Sequence, residues 1–121
     1  MLKIIDDLPA NVLEIEDEGE VTGSDYETIL IPAVEEKLKT NKKLNLLYYL
    51  GDNFSGFDLK AMVDDASIGM KHLSVWDKIA VVSNHQVINV FVNFFGYLIS
   101  GTVRVFKNTN LEMAKEWIAE N

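Results

Sequence analysis

Leu44–Leu50, "LNLLYYL", is the stretch whose reading decides the fold. A run this apolar and this short is a strand covered on both faces, the kind found in parallel sheets flanked by helices. Downstream, "KIAVVS" (Lys78–Ser83) and "TVRVF" (Thr102–Phe106) have the same strand character. Upstream, "LKII" (Leu2–Ile5) predicts a short first strand. "NVLEIED" (Asn11–Asp17) predicts a second, with Leu13 and Ile15 facing inward against Glu14 and Glu16 facing solvent, followed by a turn at "EGEVTG". Helical spacing predicts helices over Asp25–Lys39, Phe57–His72, the third-helix stretch His85–Ser100, and Leu111–Ala119. The order β-β-α-β-α-β-α-β-α implies an α/β domain with a mixed, mostly parallel five-stranded sheet and about four helices. A length of 121 residues fits one domain, 1–121, with room for an ordinary core.

Four hydroxyl residues stand where helix patterns begin, each followed three positions later by an acid or amide: Ser24 by Glu27, Ser55 by Asp58, Ser83 by Gln86 and Thr109 by Glu112. That is the capping-box spacing, in which the hydroxyl accepts from an early backbone N–H and the acid or amide reaches back to the cap's own N–H. Pro32 falls inside the first helix. It removes one backbone donor and clashes with the preceding turn, so a kink near Ile31 or a separate first turn from Asp25 to Leu30 is expected.

Composition narrows the function classes. The chain has no cysteine, which excludes disulfides, thiolate metal sites and cysteine nucleophiles. Its formal charge of −8 opposes nucleic acid and anionic membrane surfaces. The N-terminus carries acids after four residues and no apolar core of signal-peptide length, and a cytoplasmic bacterial or archaeal protein is expected. His72 and His85 are the only histidines, and neither belongs to a metal-ligand motif. The acidic runs "EIEDEGE" and "VDDA" lack the alternating ligands and central glycine of a calcium loop, so no metal and no cofactor is expected. No Ser-His-Asp spacing, Gly-x-Ser-x-Gly or phosphate-binding glycine loop occurs, and the sequence predicts no enzyme.

The segments "DYETILIPAVEE", "GFDLKAM", "KHLSVWDKIAVVS", "FFGYL" and "VRVF" together resemble the SpoIIAA-like family of small bacterial proteins, related in fold to STAS domains. The resemblance covers about Leu2 to Glu120 and implies a mostly parallel mixed sheet with packed helices, but no established activity. Better-understood fold relatives antagonise anti-sigma factors. They bind a partner at the edge around the start of the second helix, and phosphorylation of the first serine in an Asp-Ser-Ser-Gly-like pattern switches binding off. Here the corresponding segment is "GDNFSGF", which puts Phe54 at the regulated position and Ser55 one residue beyond it. Ser55 has two readings, a phosphoacceptor or the N-cap of the second helix, and its spacing to Asp58 favours the cap. Asp52 and Asn53 fall just past a central strand, where open α/β sheets bind ligands, although such residues are also ordinary loop formers.

The third helix carries the main functional signal. Its apolar side chains cover an arc of roughly 220°, about twice the stripe a surface helix needs. Val90, Phe94 and Tyr97 on one flank, with Val92 and Ile99 on the other, exceed what the sheet can cover. Three accounts compete: cover by neighbouring helices, a homodimer interface, or the wall of an apolar-ligand or lipid site. Phe57 and Ile68, opposite the core face of the second helix, form a smaller contact surface in the same reading. The expectation is a non-catalytic binding or regulatory protein acting through protein contacts as a homodimer. Apolar-ligand or lipid carriage is the first alternative and a phosphorylation-switched anti-sigma-factor antagonist the second.

Overall fold

The structure is a computed structural model that describes residues 1–58, 75–86 and 101–120. Five strands, β1 (Leu2–Ile5), β2 (Val12–Val21), β3 (Leu44–Phe57), β4 (Trp76–Val82) and β5 (Thr102–Phe106), form one sheet in sequence order. β1 runs antiparallel to β2, and the other three neighbouring pairs are parallel, so the sheet is mixed and mostly parallel as expected. Among the described residues helix occurs in two places. The first, α1, spans 23–38. The second, α2 (Leu111–Ala119), follows a 3-10 turn at Asn108–Asn110. The predicted second and third helices lie outside the described residues, apart from their first positions.

Period-two alternation along the central strand divides the core. Leu44, Tyr48 and Leu50 join Leu13, Ile15, Tyr26, Leu30 and Val34 on the α1 face. Leu47 points the other way and joins Val12, Ala80, Val82, Phe106, Ala114 and Ile118 on the α2 face. Burial on both faces is why "LNLLYYL" is apolar apart from Asn45. Tyr26 and Tyr48 are buried with their hydroxyls 2.9 Å apart, so each phenol has a polar partner inside the core.

α1 shows what Pro32 does. The element opens as α-helix at Gly23–Asp25, widens to π-helix at Tyr26–Leu30 and resumes as α-helix at Ile31–Leu38, with Pro32 in its first turn. A prolyl ring would strike a regular preceding turn and offers it no N–H. The wide turn relieves both problems, and Ile31 N–H bonds to the carbonyl of Tyr26. The expected break before Pro32 is therefore present as a π segment.

Several predicted boundaries are corrected. β2 runs through "EGEV" to Val21, with Gly19 at φ +59° in a bulge, so no turn forms there. Because the strand runs on, the α1 cap is Thr22 and not Ser24. Asp25 N–H donates to Thr22 Oγ1 at 3.2 Å, and Thr22 N–H donates to Asp25 Oδ2 at 2.9 Å. β3 likewise continues to Phe57, the residue at which the second helix was expected to start. Thr109 lies in the 3-10 turn, and α2 begins after Asn110 without a side-chain cap. Ser83 does accept an early backbone N–H, that of His85, at 3.0 Å.

The last helix is fastened from below. Lys78 Nζ donates to the carbonyls of Trp117 (3.2 Å) and Glu120 (3.0 Å), placing positive charge at the negative end of α2. The Trp117 ring also has the Lys78 ammonium 5.4 Å and the Arg104 guanidinium 5.1 Å from its centroid. Buried Asn45 bridges sheet and helix: its Nδ2 donates to Ile118 O at 3.0 Å, and its Oδ1 accepts from Lys78 N at 3.0 Å. The second bond satisfies the donor at the point where β3 and β4 slip register.

Candidate functional site

β3 outruns β4. Their pairing ends at Tyr49 opposite Val82, whereas β3 stays paired with β2 until Phe57 meets Val21. From Asp17 to Gly19 β2 advances two residues while β3 advances four, from Leu50 to Phe54, so Gly51, Asp52 and Asn53 form a bulge in which Gly51 is buried. Asp52, Asn53 and Ser55 are exposed, while Leu50 and Phe54 remain buried. The sequence placed Asp52 and Asn53 in a loop beyond the strand. They occupy instead a rim of bulged strand at the carboxyl end of the sheet.

Residues from the neighbouring strand ends complete this rim. Asn108 Nδ2 donates to Leu50 O (3.1 Å) and to Asp52 Oδ1 (3.3 Å), and Asn108 N–H donates to Asn84 Oδ1 (3.0 Å). Asn108 thus ties the ends of β3, β4 and β5 together. His85 stands edge-on to Phe54, with ring centroids 5.1 Å apart. Asn84 and Asn108 were not singled out from sequence. Their signal was available, since "SNH" and "KNTN" each follow a strand directly.

Ser55 is not a helix cap. It lies within β3, and the Asp58 N–H it was expected to accept donates to Val21 O at 3.0 Å. The Asp58 carboxylate instead accepts from Gly23 N–H at 3.1 Å, satisfying an early donor of α1. Phe57 belongs to β3 and not to the second helix. It is half-buried against Phe54 and Tyr26, at ring separations of 5.0 and 6.3 Å. Val90, Val92, Phe94, Tyr97, Ile99 and Ile68 lie outside the described residues.

A second polar constellation lies on the α2 face. Glu14, expected in solvent, is only 4% exposed. Lys115 from α2 brings its Nζ to 3.6 Å from both Glu14 Oε1 and Asp7 Oδ2. Glu14 Oε2 is buried and meets no N–H or hydroxyl donor. Burial, followed by the hydrogen bond to Asp7, pushes the Glu14 carboxyl up to about 7. The same hydrogen bond, with Lys115, holds Asp7 below the usual carboxylate range. Glu14 therefore carries the proton of the pair. Burial pulls Lys115 down, but the carboxylates of Glu14, Asp7 and Glu112 outweigh it and raise its pKa. Beside them a cleft of about 160 Å³ is lined by Ile5, Glu14, Glu16, Tyr49, Leu111 and Lys115. Among the described residues no cluster of His, Asp and Glu is placed to hold a metal ion, and no helix is long and apolar enough to cross a membrane.

A mixed five-stranded sheet with helices on both faces and a polar rim at its carboxyl end defines an α/β domain of SpoIIAA-like type. The sequence pattern of the SpoIIAA-like family matches residues 12–119, and the chain belongs to that family. Its fold is similar to the crystal structure of an uncharacterized protein of the DUF3478 family with a SpoIIAA-like fold from Shewanella loihica PV-4. The two share 20% sequence identity at a TM-score of 0.75, over 97% of this chain and 93% of that one. No curated protein matches the chain.

Proposed function

We propose that this chain is a non-catalytic binding or regulatory protein that works through protein contacts, as a homodimer. The observation that carries the reading is the β3 rim. It presents Asp52, Asn53 and Ser55 to solvent on backbone fixed by β2 on one side and by Asn108 on the other. Such a surface offers a partner hydrogen-bonding groups whose ordering cost is already met by the fold, which favours recognition. The apolar flank residues Val90, Val92, Phe94, Tyr97 and Ile99 supply the self-contact in this reading, with Ile68 beside them. Sedimentation velocity tests it. Wild type should sediment as a dimer at micromolar concentration and Phe94→Glu as a monomer with unchanged circular dichroism. A wild type that stays monomeric at high micromolar concentration overturns the dimer.

The exposure of Ser55 favours a second reading, since a hydroxyl on the rim is reachable by a kinase in a way that a helix cap is not. A phosphate there would set about two negative charges beside Asp52 and repel an acidic partner. Incubation with a cognate kinase, followed by intact mass and site mapping, decides it: phosphate on Ser55 supports the switch, and an unmodified chain counts against it.

A further inference from the structure

We propose that β5 and the flank of α2 beside it form a docking strip for an extended acidic segment of a partner protein. Arg104 is the central observation. It is the only arginine in a chain with nineteen acids, it is exposed, and among the described residues no carboxylate pairs with it. Its guanidinium is held over two rings instead, 4.8 Å from the centroid of Phe106 and 5.1 Å from that of Trp117. Stacking fixes the plane of the fork and leaves its N–H groups for a carboxylate, which such a fork can grip through two bonds at once.

The strand that carries Arg104 is a sheet edge. Among the described residues β5 pairs with β4 alone. Ser83 N–H donates to Phe106 O, and Phe106 stands opposite Val82, so the backbone groups of Phe106, Arg104 and Thr102 turn toward β4. Those of Val103 and Val105 face away from it, the arrangement that receives an added strand. Alternation puts the Thr102 and Arg104 side chains on the α2 face with Phe106. On α2, Met113 and Trp117 lie four residues apart on one flank, and Met113 is 57% exposed. A strand added to β5 would therefore lay alternate side chains along Arg104 and this apolar flank. Arg, Trp and Met are the residue types that interfaces favour. Charge selects the occupant. A second copy pairing through its own β5 sets Arg104 and Lys107 among their images, like against like, whereas an acidic strand meets both with the opposite sign.

This strip lies apart from the β3 rim and from the third-helix flank, so its failure and that of the reading above are seen separately. The test is a ¹H–¹⁵N shift titration of the intact chain with a short blocked peptide of alternating Val and Glu. The same peptide with Gln for Glu, and with Lys for Glu, is run in parallel. The expected result is saturable movement of the Val103 and Val105 amides and of the Trp117 indole N–H with the Glu peptide, and none with the Lys peptide. Binding should be about tenfold weaker with the Gln peptide and in Arg104→Gln, through loss of the charge-assisted bonds. Val105→Pro removes an outward N–H that the pairing with β4 does not use, so it should abolish binding and leave the β4 amide shifts in place. Equal shifts with the Lys peptide, an affinity unchanged in Arg104→Gln, or full binding by a folded Val105→Pro would overturn the strip. So would β5 amides that move with protein concentration alone, since a second copy would then occupy the edge.

Discussion

Raising the pH from 5 to 8 should weaken this fold, and Glu14→Gln should remove most of that weakening. In the native state the Glu14 carboxyl loses its proton at about 7, against 4.5 for an ordinary glutamate. Between those values the folded chain binds more protons at this position than the unfolded chain does, so stability falls as pH rises, and the loss is complete above 7. A shift of this size corresponds to about 3 kcal/mol at most. The Asp7 side chain that shares the proton is 54% exposed, and water there screens the repulsion, so about 1–2 kcal/mol is the working figure. Glutamine keeps the shape, stays neutral and can donate to Asp7. Urea unfolding of both proteins at pH 5, 6, 7 and 8 isolates the effect, because groups away from Glu14 cancel in the difference, while Asp7, held below the usual carboxylate range, and Lys115, raised above the usual ammonium range, do not titrate there. The variant should be close to wild type at pH 5 and the more stable of the two at pH 8. A difference that does not change with pH would refute the reasoning.

Two further outcomes follow from the packing. In Gly101→Ala a Cβ would stand 2.2 Å from Asp77 O and 2.5 Å from Trp76 O, both backbone atoms that cannot swing aside. The expected loss is about 1–3 kcal/mol, seen as a lower urea midpoint. Thr22→Ala removes the hydroxyl half of the α1 box and should cost about 1 kcal/mol by the same measurement, whereas Ser24→Ala should cost much less.

The five strands, their mostly parallel arrangement and the break before Pro32 were legible because periodicity, apolar runs and proline sterics are local properties. What escaped depends on partners distant in the chain. "GDNFSGF" has the composition of a turn, yet it stays in the sheet because β2 pairs with it across bulges and Gly56 adopts φ +147°. Alternation put Glu14 in solvent; the residue that covers it, Lys115, arrives on the last helix. Thr22 displaced Ser24 as the cap for the same reason, since β2 carries the chain further than its own pattern indicates. The rim was half visible. Asp52 and Asn53 were placed at the correct end of the sheet, and Asn108 stood in a readable position just past a strand, but its bonds to Leu50 and Asp52 appear only when the ends of β3 and β5 come together.

The bond from Asp58 to the Gly23 amide has a mechanical consequence. It staples the exit of the central strand to the entrance of the first helix, two points 35 residues apart along the chain. A force that draws the strand exit outward strips a terminal donor of its acceptor. The Gly23 amide is thus the natural place to listen for events at the rim, with faster hydrogen exchange there as the earliest sign of disturbance.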